Sequence, residues 1–135
     1  AIIGILSAVV LASLNTARSK GNDAAVQSDL SAIRNQAEIY YGSTGNNSYG
    51  TAVATNSCAA TAGTLFADAT IAKAITAANN ANGAGTVTCN SSASAYAVQA
   101  GLQAGIGGNM FWCVDSTGNA EPEGVAMVAG ATACI

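Results

Sequence analysis

Residues 1–41 read AIIGILSAVVLASLNTARSKGNDAAVQSDLSAIRNQAEIYY, and this stretch decides the fold. It contains no proline and no charged residue before Arg18. A helix over the whole stretch would be about 60 Å long, at ~1.5 Å per residue. A chain of 135 residues is too short to cover such a helix along its full length, so one half must project.

The first half of this helix is apolar on all sides up to Leu14. That pattern is typical of a helix in lipid or at the centre of a helical bundle. The run is at the short limit for crossing a bilayer, which needs about 20 residues. Its positive charges, Arg18 and Lys20, follow the apolar run, whereas a signal peptide carries its charges before the run.

The second half shows one apolar stripe with spacings of three and four residues, which indicates an amphipathic helix that covers a core. Arg34 and Glu38 lie off the stripe and can form an i, i+4 ion pair. The turn-rich GSTGNNSYG predicts that the helix ends near Gly42. The stripe consists of Val26, Leu30, Ile33, Ala37 and Tyr40.

The remainder predicts a short helix and a small antiparallel sheet. Asp68 is a candidate N-cap for a helix with an apolar face formed by Ile71, Ala72, Ile75 and Ala78. Strands are expected at 86–89, 95–102 and 109–115, with a weaker signal at 125–129. The glycine-rich AGIGGN predicts the turn between the second and third strands.

These elements predict an α+β fold in which the long helix packs by its second half on the sheet. Residues 1–22 are then the projecting half of the helix, and residues 23–135 form the head domain.

Charge is scarce in this chain, and histidine is absent. Only 8% of the residues are charged, against about 25% in typical soluble domains. The net charge of −3 provides no basic patch for nucleic acid. Without histidine, Ser-His, Cys-His and most zinc chemistries lack their base or ligand. We therefore expect no enzymatic activity, no catalytic residue, no cofactor and no specific nucleic-acid partner.

The four cysteines, Cys58, Cys89, Cys113 and Cys134, are widely spaced and form no CxxC pair. An even number of cysteines in a Gly-, Ser- and Asn-rich setting indicates two structural disulfides formed in an oxidising compartment. Spacing alone leaves all three possible pairings open.

The stretch 1–41 resembles the N-terminal helix of bacterial type IV pilins and pseudopilins. The resemblance lies in IIGIL followed by small and apolar residues, and in the amphipathic continuation that ends in Tyr40 and Tyr41. The remaining residues resemble the family in architecture only. The resemblance implies a structural subunit that is stored in the inner membrane and then assembled by the pilus machinery. Identical copies would polymerise into an extracellular filament on a bacterial cell surface.

In such a filament the projecting helix halves would pack together, and small residues would permit their close approach. Family members carry a Phe and a nearby Glu before the matching region, so we expect further residues to precede Ala1. Many members have a Pro in this helix. Here the only Pro is Pro122, so a continuous helix is expected, with any unwinding near residues 4–7. The expected assembly interface is Ile2, Ile3, Gly4, Ile5, Leu6, Val9, Val10 and Leu14.

The resemblance also bears on the cysteines and on a possible metal site. Many pilins close their C-terminal loop with a disulfide, so Cys113–Cys134 is preferred, together with Cys58–Cys89. Some pseudopilins hold calcium near the segment DSTGNAE. Alternate residues there resemble calcium-loop ligands, yet the glycine and distal Glu of an EF-hand are missing. A solvated hairpin turn is therefore preferred to a metal site built from Asp115, Thr117, Asn119 and Glu121.

Two other interpretations of the long helix remain open. One is a pseudopilin of a type II secretion or DNA-uptake apparatus, which would form a short piston. The other is a membrane-anchored surface module that binds a partner or a surface and never polymerises.

Overall fold

The computed structural model describes residues 1–83 and 85–135, which form two helices and a four-stranded antiparallel sheet. Each strand pairs with the next one along the chain. The second half of the long helix packs on the sheet, so the predicted α+β fold is confirmed. The elements are α1 (Ile2–Gly42), α2 (Ala69–Ala81), β1 (Val87–Ser91), β2 (Tyr96–Ile106), β3 (Asn109–Asp115) and β4 (Ala120–Glu123), with a 3₁₀ turn at Leu65–Ala67.

Helix α1 is a single helix of 41 residues that continues through Gly4 and Gly21. Glycine weakens a helix but keeps its backbone donor, so neither position has to break it. The expected continuity is confirmed, and no unwinding occurs at residues 4–7.

The apolar stripe of α1 forms the centre of the head. All five of its predicted residues are buried, none more than 8% exposed. They pack against α2 and against the inner face of the sheet, where Tyr96, Val98 and Leu102 of β2 point towards the helix. The predicted cap of α2 is also confirmed, because the Asp68 carboxylate accepts the backbone N–H groups of Thr70 and Ile71.

Asp23 joins α1 to the sheet at the point where the helix leaves the head. The pairing of β2 with β3 is interrupted between Gly101 and Ile106, so backbone N–H groups there lack a partner strand. The buried Asp23 carboxylate accepts those of Gln103, Ala104 and Gly105, at 2.5–2.9 Å. The N–H groups that the β-bulge leaves unpaired and the buried carboxylate of the helix thus serve as each other's hydrogen-bond partners.

The outer face of the sheet is covered by the C-terminal segment, residues 124–135. Its backbone hydrogen bonds go to side chains of the sheet: Gln99 accepts the Met127 N–H at 2.7 Å and donates to the Val125 carbonyl at 3.0 Å. Glu123 accepts the Ile135 N–H. Because these groups already have side-chain partners, the strand predicted at 125–129 is wrong.

The fourth strand is instead β4, which lies at the edge of the sheet and contains Pro122. Proline is tolerated at an edge because the missing N–H has no neighbouring strand to bond. The polar sequence AEPE gave no strand signal. The other strands differ from expectation only at their ends, with β2 extending to Ile106.

Two disulfides hold the irregular parts of the chain. Cys58–Cys89 attaches the loop that follows α1 to β1, and Cys113–Cys134 attaches the C-terminal segment to β3. This is the pairing preferred on the resemblance to pilins. Each bridge closes a loop of 20 to 30 intervening residues, for which chain entropy alone gives about 3–4 kcal/mol.

Arg34 and Glu38 do not pair with each other, although their spacing permits it. The Arg34 guanidinium donates to the Gly118 carbonyl at 3.1 Å, and the Glu38 carboxylate accepts the Tyr49 hydroxyl at 2.8 Å. Tyr49 also packs edge-on against Tyr96, at 4.9 Å between ring centroids. These two charged side chains therefore fasten loops to the head.

We expect Asp23→Ala to destabilise the head by about 2–3 kcal/mol, because it leaves three backbone N–H groups without their acceptor. Urea unfolding of the disulfide-intact protein measures this loss. Ala substitution of the neighbouring Asn22, which is not buried, is the control and should change the stability by less than about 0.5 kcal/mol. Equal effects of the two substitutions would contradict the role given to Asp23.

Candidate assembly and membrane-anchoring surface

Residues 2–22 of α1, here called the stem, present large apolar side chains to the outside. These side chains are between 57% and 83% exposed, although they are aliphatic. Every residue of the expected interface lies on this surface, and Leu11 belongs to it as well. The exposed set is Ile2, Ile3, Ile5, Leu6, Val9, Val10, Leu11 and Leu14.

Between Ile2 and Leu14 the exposed apolar side chains, alanines included, surround the helix on all sides. By length and composition α1 is able to cross a membrane, and no residue of its most apolar 18-residue stretch is buried within the protein. The core helix of a soluble protein can be equally long and apolar, but it is mostly buried. An exposed helix that is apolar all round requires cover from lipid or from other helices.

Small residues form one row along the stem. Gly4, Ala8 and Ala12 are four residues apart, so they lie on one face of the helix. A Cβ atom added at Gly4 would meet nothing within 4 Å. Rows of this small-xxx-small type permit the backbones of neighbouring helices to approach closely in a membrane.

Two hydroxyl groups of the stem are satisfied within the helix itself. Ser7 donates to the Ile3 carbonyl at 2.8 Å, and Thr16 donates to the Ala12 carbonyl at 3.1 Å. This back-bonding provides a partner for each hydroxyl where water is absent. Ser7 and Thr16 therefore add little cost when this part of the helix enters lipid or a dry bundle.

The stem ends in charged residues and then enters the head. Arg18 and Lys20 are exposed, and Asp23 is the first buried residue of α1. A basic group directly after an apolar run lies at the height of the lipid headgroups when such a helix spans a bilayer. The helix thus changes from exposed apolar residues to exposed charged residues, and then to buried residues, within a few positions of the expected boundary at residue 22.

The candidate calcium residues lie in and beside the turn between β3 and β4. The Asp115 carboxylate accepts hydrogen bonds from Thr117, from Asn119 and from the Cys134 N–H, while Glu121 is exposed on β4. Asn119 uses its amide NH₂ group towards Asp115, so it acts as a donor to the carboxylate. The geometry is that of a side-chain-stabilised turn between β3 and β4.

Another carboxylate lies beside the second disulfide. The ligand atoms of Cys113, Glu123 and Cys134 are within 4.8 Å of one another. Both sulfur atoms are bonded to each other, and the Glu123 carboxylate accepts from Gln99 and from the Ile135 N–H. These atoms hold the C-terminal segment against the sheet.

Sequence reasoning omitted Leu11 from the expected interface and missed the role of Asp23 at the junction with the head. Leu11 lies inside the apolar run, so its hydropathy was a sufficient signal. Asp23 reads as the polar start of the amphipathic half, and only the bulge in β2 reveals its role. An isolated acid at the last turn before a buried stripe is the pattern that could have indicated it.

Comparison of the chain with protein-family models, with curated proteins and with solved structures found no match.

We expect the stability of the head to depend on pH through Asp115. Burial raises the pKa of this carboxyl, but hydrogen bonds from Thr117, Cys134 and Asn119 outweigh it and hold the pKa below its ordinary value of 3.8. A group with a lowered folded pKa stabilises the protein above its unfolded pKa and loses that contribution as pH falls through the folded pKa. The contribution should therefore be complete near neutral pH and decline below about pH 4.

Urea unfolding of the wild type and of Asp115→Asn between neutral pH and pH 2 measures this dependence. The wild type should be the more stable protein at neutral pH, and the difference should shrink in acid as Asp115 is protonated. A difference that stays constant over this range would show that the charge of Asp115 contributes nothing.

Proposed function

We propose that this chain is a subunit of the type IV pilin family that polymerises through its stem into an extracellular filament. The observation that carries the proposal is the exposure of the apolar stem on a helix that continues without a break into a disulfide-bonded head. The same surface serves twice. It contacts lipid while the subunit is stored in the inner membrane, and it contacts neighbouring stems after assembly.

Energetics favour the stem as the source of cohesion. Full burial of an aliphatic side chain contributes about 1.5–3 kcal/mol before the cost of association is subtracted. Eight such side chains are exposed on each stem. The head offers much less, since its surface consists mainly of small and uncharged polar residues. A contact between different faces of successive subunits repeats without closing, and this yields a filament.

The disulfides support the cellular location that this function requires. Both bridges lie in the head, where an oxidising environment outside the cytoplasm would form and preserve them. The stem contains no cysteine, so the bridges do not constrain its transfer out of the membrane.

A membrane-anchored module that never polymerises would use the stem for anchoring only. Its stem would need apolar residues but not the row formed by Gly4, Ala8 and Ala12, which favours helix–helix contact. A pseudopilin would assemble through the same surface and would differ in the length of the polymer. Electron microscopy of detergent-depleted protein separates monomers, short rods and long filaments.

Deletion of residues 1–20 should yield a folded monomer that keeps both disulfides and does not assemble. The deleted residues contribute no buried side chain to the head, so its core stays complete. Circular dichroism, disulfide mapping and analytical ultracentrifugation check the three parts of this expectation. Filaments of the wild-type diameter formed by the truncated chain would exclude the stem as the assembly surface.

Val9→Asp should lower the assembled fraction by at least about tenfold, because it places an unpaired charge in a dry bundle. Sedimentation after detergent removal measures the assembled fraction. Val125→Asp is the matched control: the same change is made at a head residue that is 57% exposed, against 61% for Val9. The control should assemble like the wild type, and equal loss in both variants would point to a nonspecific effect of added charge.

A further inference from the structure

Asp29 is the one carboxylate of α1 that is partly buried without a partner among the described residues. Burial raises its pKa, and no cation or hydrogen-bond donor offsets the effect. The other two acids of the helix are engaged, Asp23 by three backbone N–H groups and Glu38 by Tyr49. A half-buried charge without compensation is costly, so an interaction outside the chain would stabilise it.

Few cations are available to fill this role. The chain has four in all, and Arg34 already donates to the Gly118 carbonyl. Lys73 is exposed on α2, while Arg18 and Lys20 are exposed at the end of the stem. Arg18 and Lys20 are therefore the candidates nearest to a surface already used for assembly.

The helix geometry distinguishes these two residues. Lys20 precedes Asp29 by nine residues, or two and a half turns, so the two side chains lie on opposite faces of α1. Arg18 precedes Asp29 by eleven residues, about three turns, and lies on the same face as Asp29. In an open polymer of parallel helices, the contact joins two different faces of the helix, one from each copy, so two residues that pair across it do not lie on the same face. Only Lys20 satisfies this requirement.

Small side chains make both faces accessible to a neighbouring helix. Ala12, Ser13, Thr16 and Ala17 line the surface next to Lys20. Ala25 and Ala32, one turn before and after Asp29, are exposed and also small. Close approach of two helices is therefore possible at both sites, and the flexible lysine side chain can reach a carboxylate that is partly recessed.

We propose that Lys20 of one copy forms an ion pair with Asp29 of the adjacent copy. The pair sets the axial displacement between neighbouring subunits at about 13.5 Å, the rise of nine helical residues. This inference rests on the proposed polymerisation and adds the register in which neighbouring subunits pack. Apolar contacts between stems supply cohesion but few directional constraints, whereas one charge pair per contact selects a single displacement.

Charge reversal tests the pair in the full chain, assembled by detergent removal and measured by sedimentation. Lys20→Asp and Asp29→Lys should each raise the critical concentration for assembly about tenfold, because each brings like charges together. The double variant, with the charges exchanged, should return to within about threefold of the wild type. Circular dichroism and disulfide mapping in detergent first establish that every variant is folded.

Two controls make the result specific. Lys73→Asp changes the charge by the same amount on α2 and should assemble like the wild type. Arg18→Asp combined with Asp29→Lys should remain as defective as Asp29→Lys alone, because Arg18 lies on the wrong face. Rescue by Arg18→Asp, or failure of the Lys20–Asp29 exchange to restore assembly, would overturn the proposed pair.

Direct chemical evidence comes from carbodiimide crosslinking of assembled protein made from a mixture of isotope-labelled and unlabelled chains. This reagent joins an amine and a carboxylate in contact, and mass spectrometry should find Lys20 of one chain linked to Asp29 of another. Wild-type filaments without this crosslink would reject the pair while leaving the proposed function standing. Wild-type protein that forms no polymer would reject both.

Discussion

The length of one unbroken helix constrains everything else in this molecule. Helix α1 has 41 residues and extends about 60 Å, and the head fully buries its side chains only from Asp23 onwards. Its backbone hydrogen bonds are satisfied internally, so the stem is stable as a helix in lipid as well as in protein. Its aliphatic side chains, in contrast, are not covered by any other part of the described chain. They require cover from outside the chain, and this requirement is the basis of the proposed function.

The junction between stem and head depends on a carboxylate. Apolar packing fixes how α1 lies on the sheet from Val26 onwards, but it cannot hold the helix where the core ends. Asp23 does so by accepting three N–H groups that the bulge in β2 leaves without strand partners. Because these hydrogen bonds are directional, the helix leaves the head in a defined direction. A defined direction is what a repeating contact between subunits requires.

The head compensates for a core poor in large side chains. Many of its residues are Ala, Gly, Ser, Thr and Asn, which bury little apolar area. Two disulfides restrict the unfolded chain, and buried polar side chains on the outer face of the sheet bind the backbone of the C-terminal segment. The segment is therefore ordered without being a strand. A surface with few charges results, which suits dense packing of many identical heads.

Local patterns in the sequence determined the secondary structure and the class of the fold. Periodicity and capping involve neighbouring residues only. They sufficed to predict the long helix, the buried stripe from Val26 to Tyr40, the Asp68 cap and the third strand. The apolar stem was equally evident, because hydropathy is a property of composition. The disulfide pairing was preferred on a family resemblance, since spacing left three possibilities open.

Only the tertiary structure decided the features that join distant parts of the chain. Asp23 accepts hydrogen bonds from residues 103–105, and Gln99 hydrogen-bonds to Val125 and Met127. Because these partners are far apart in the sequence, no local pattern predicts either contact. For the same reason the sequence misplaced the fourth strand: β4 is polar and contains Pro122, and its place follows from pairing with β3. The isolation of Asp29 likewise appears only when its surroundings are known. Propensity describes how a segment folds by itself, whereas the partners of a polar group depend on the whole chain.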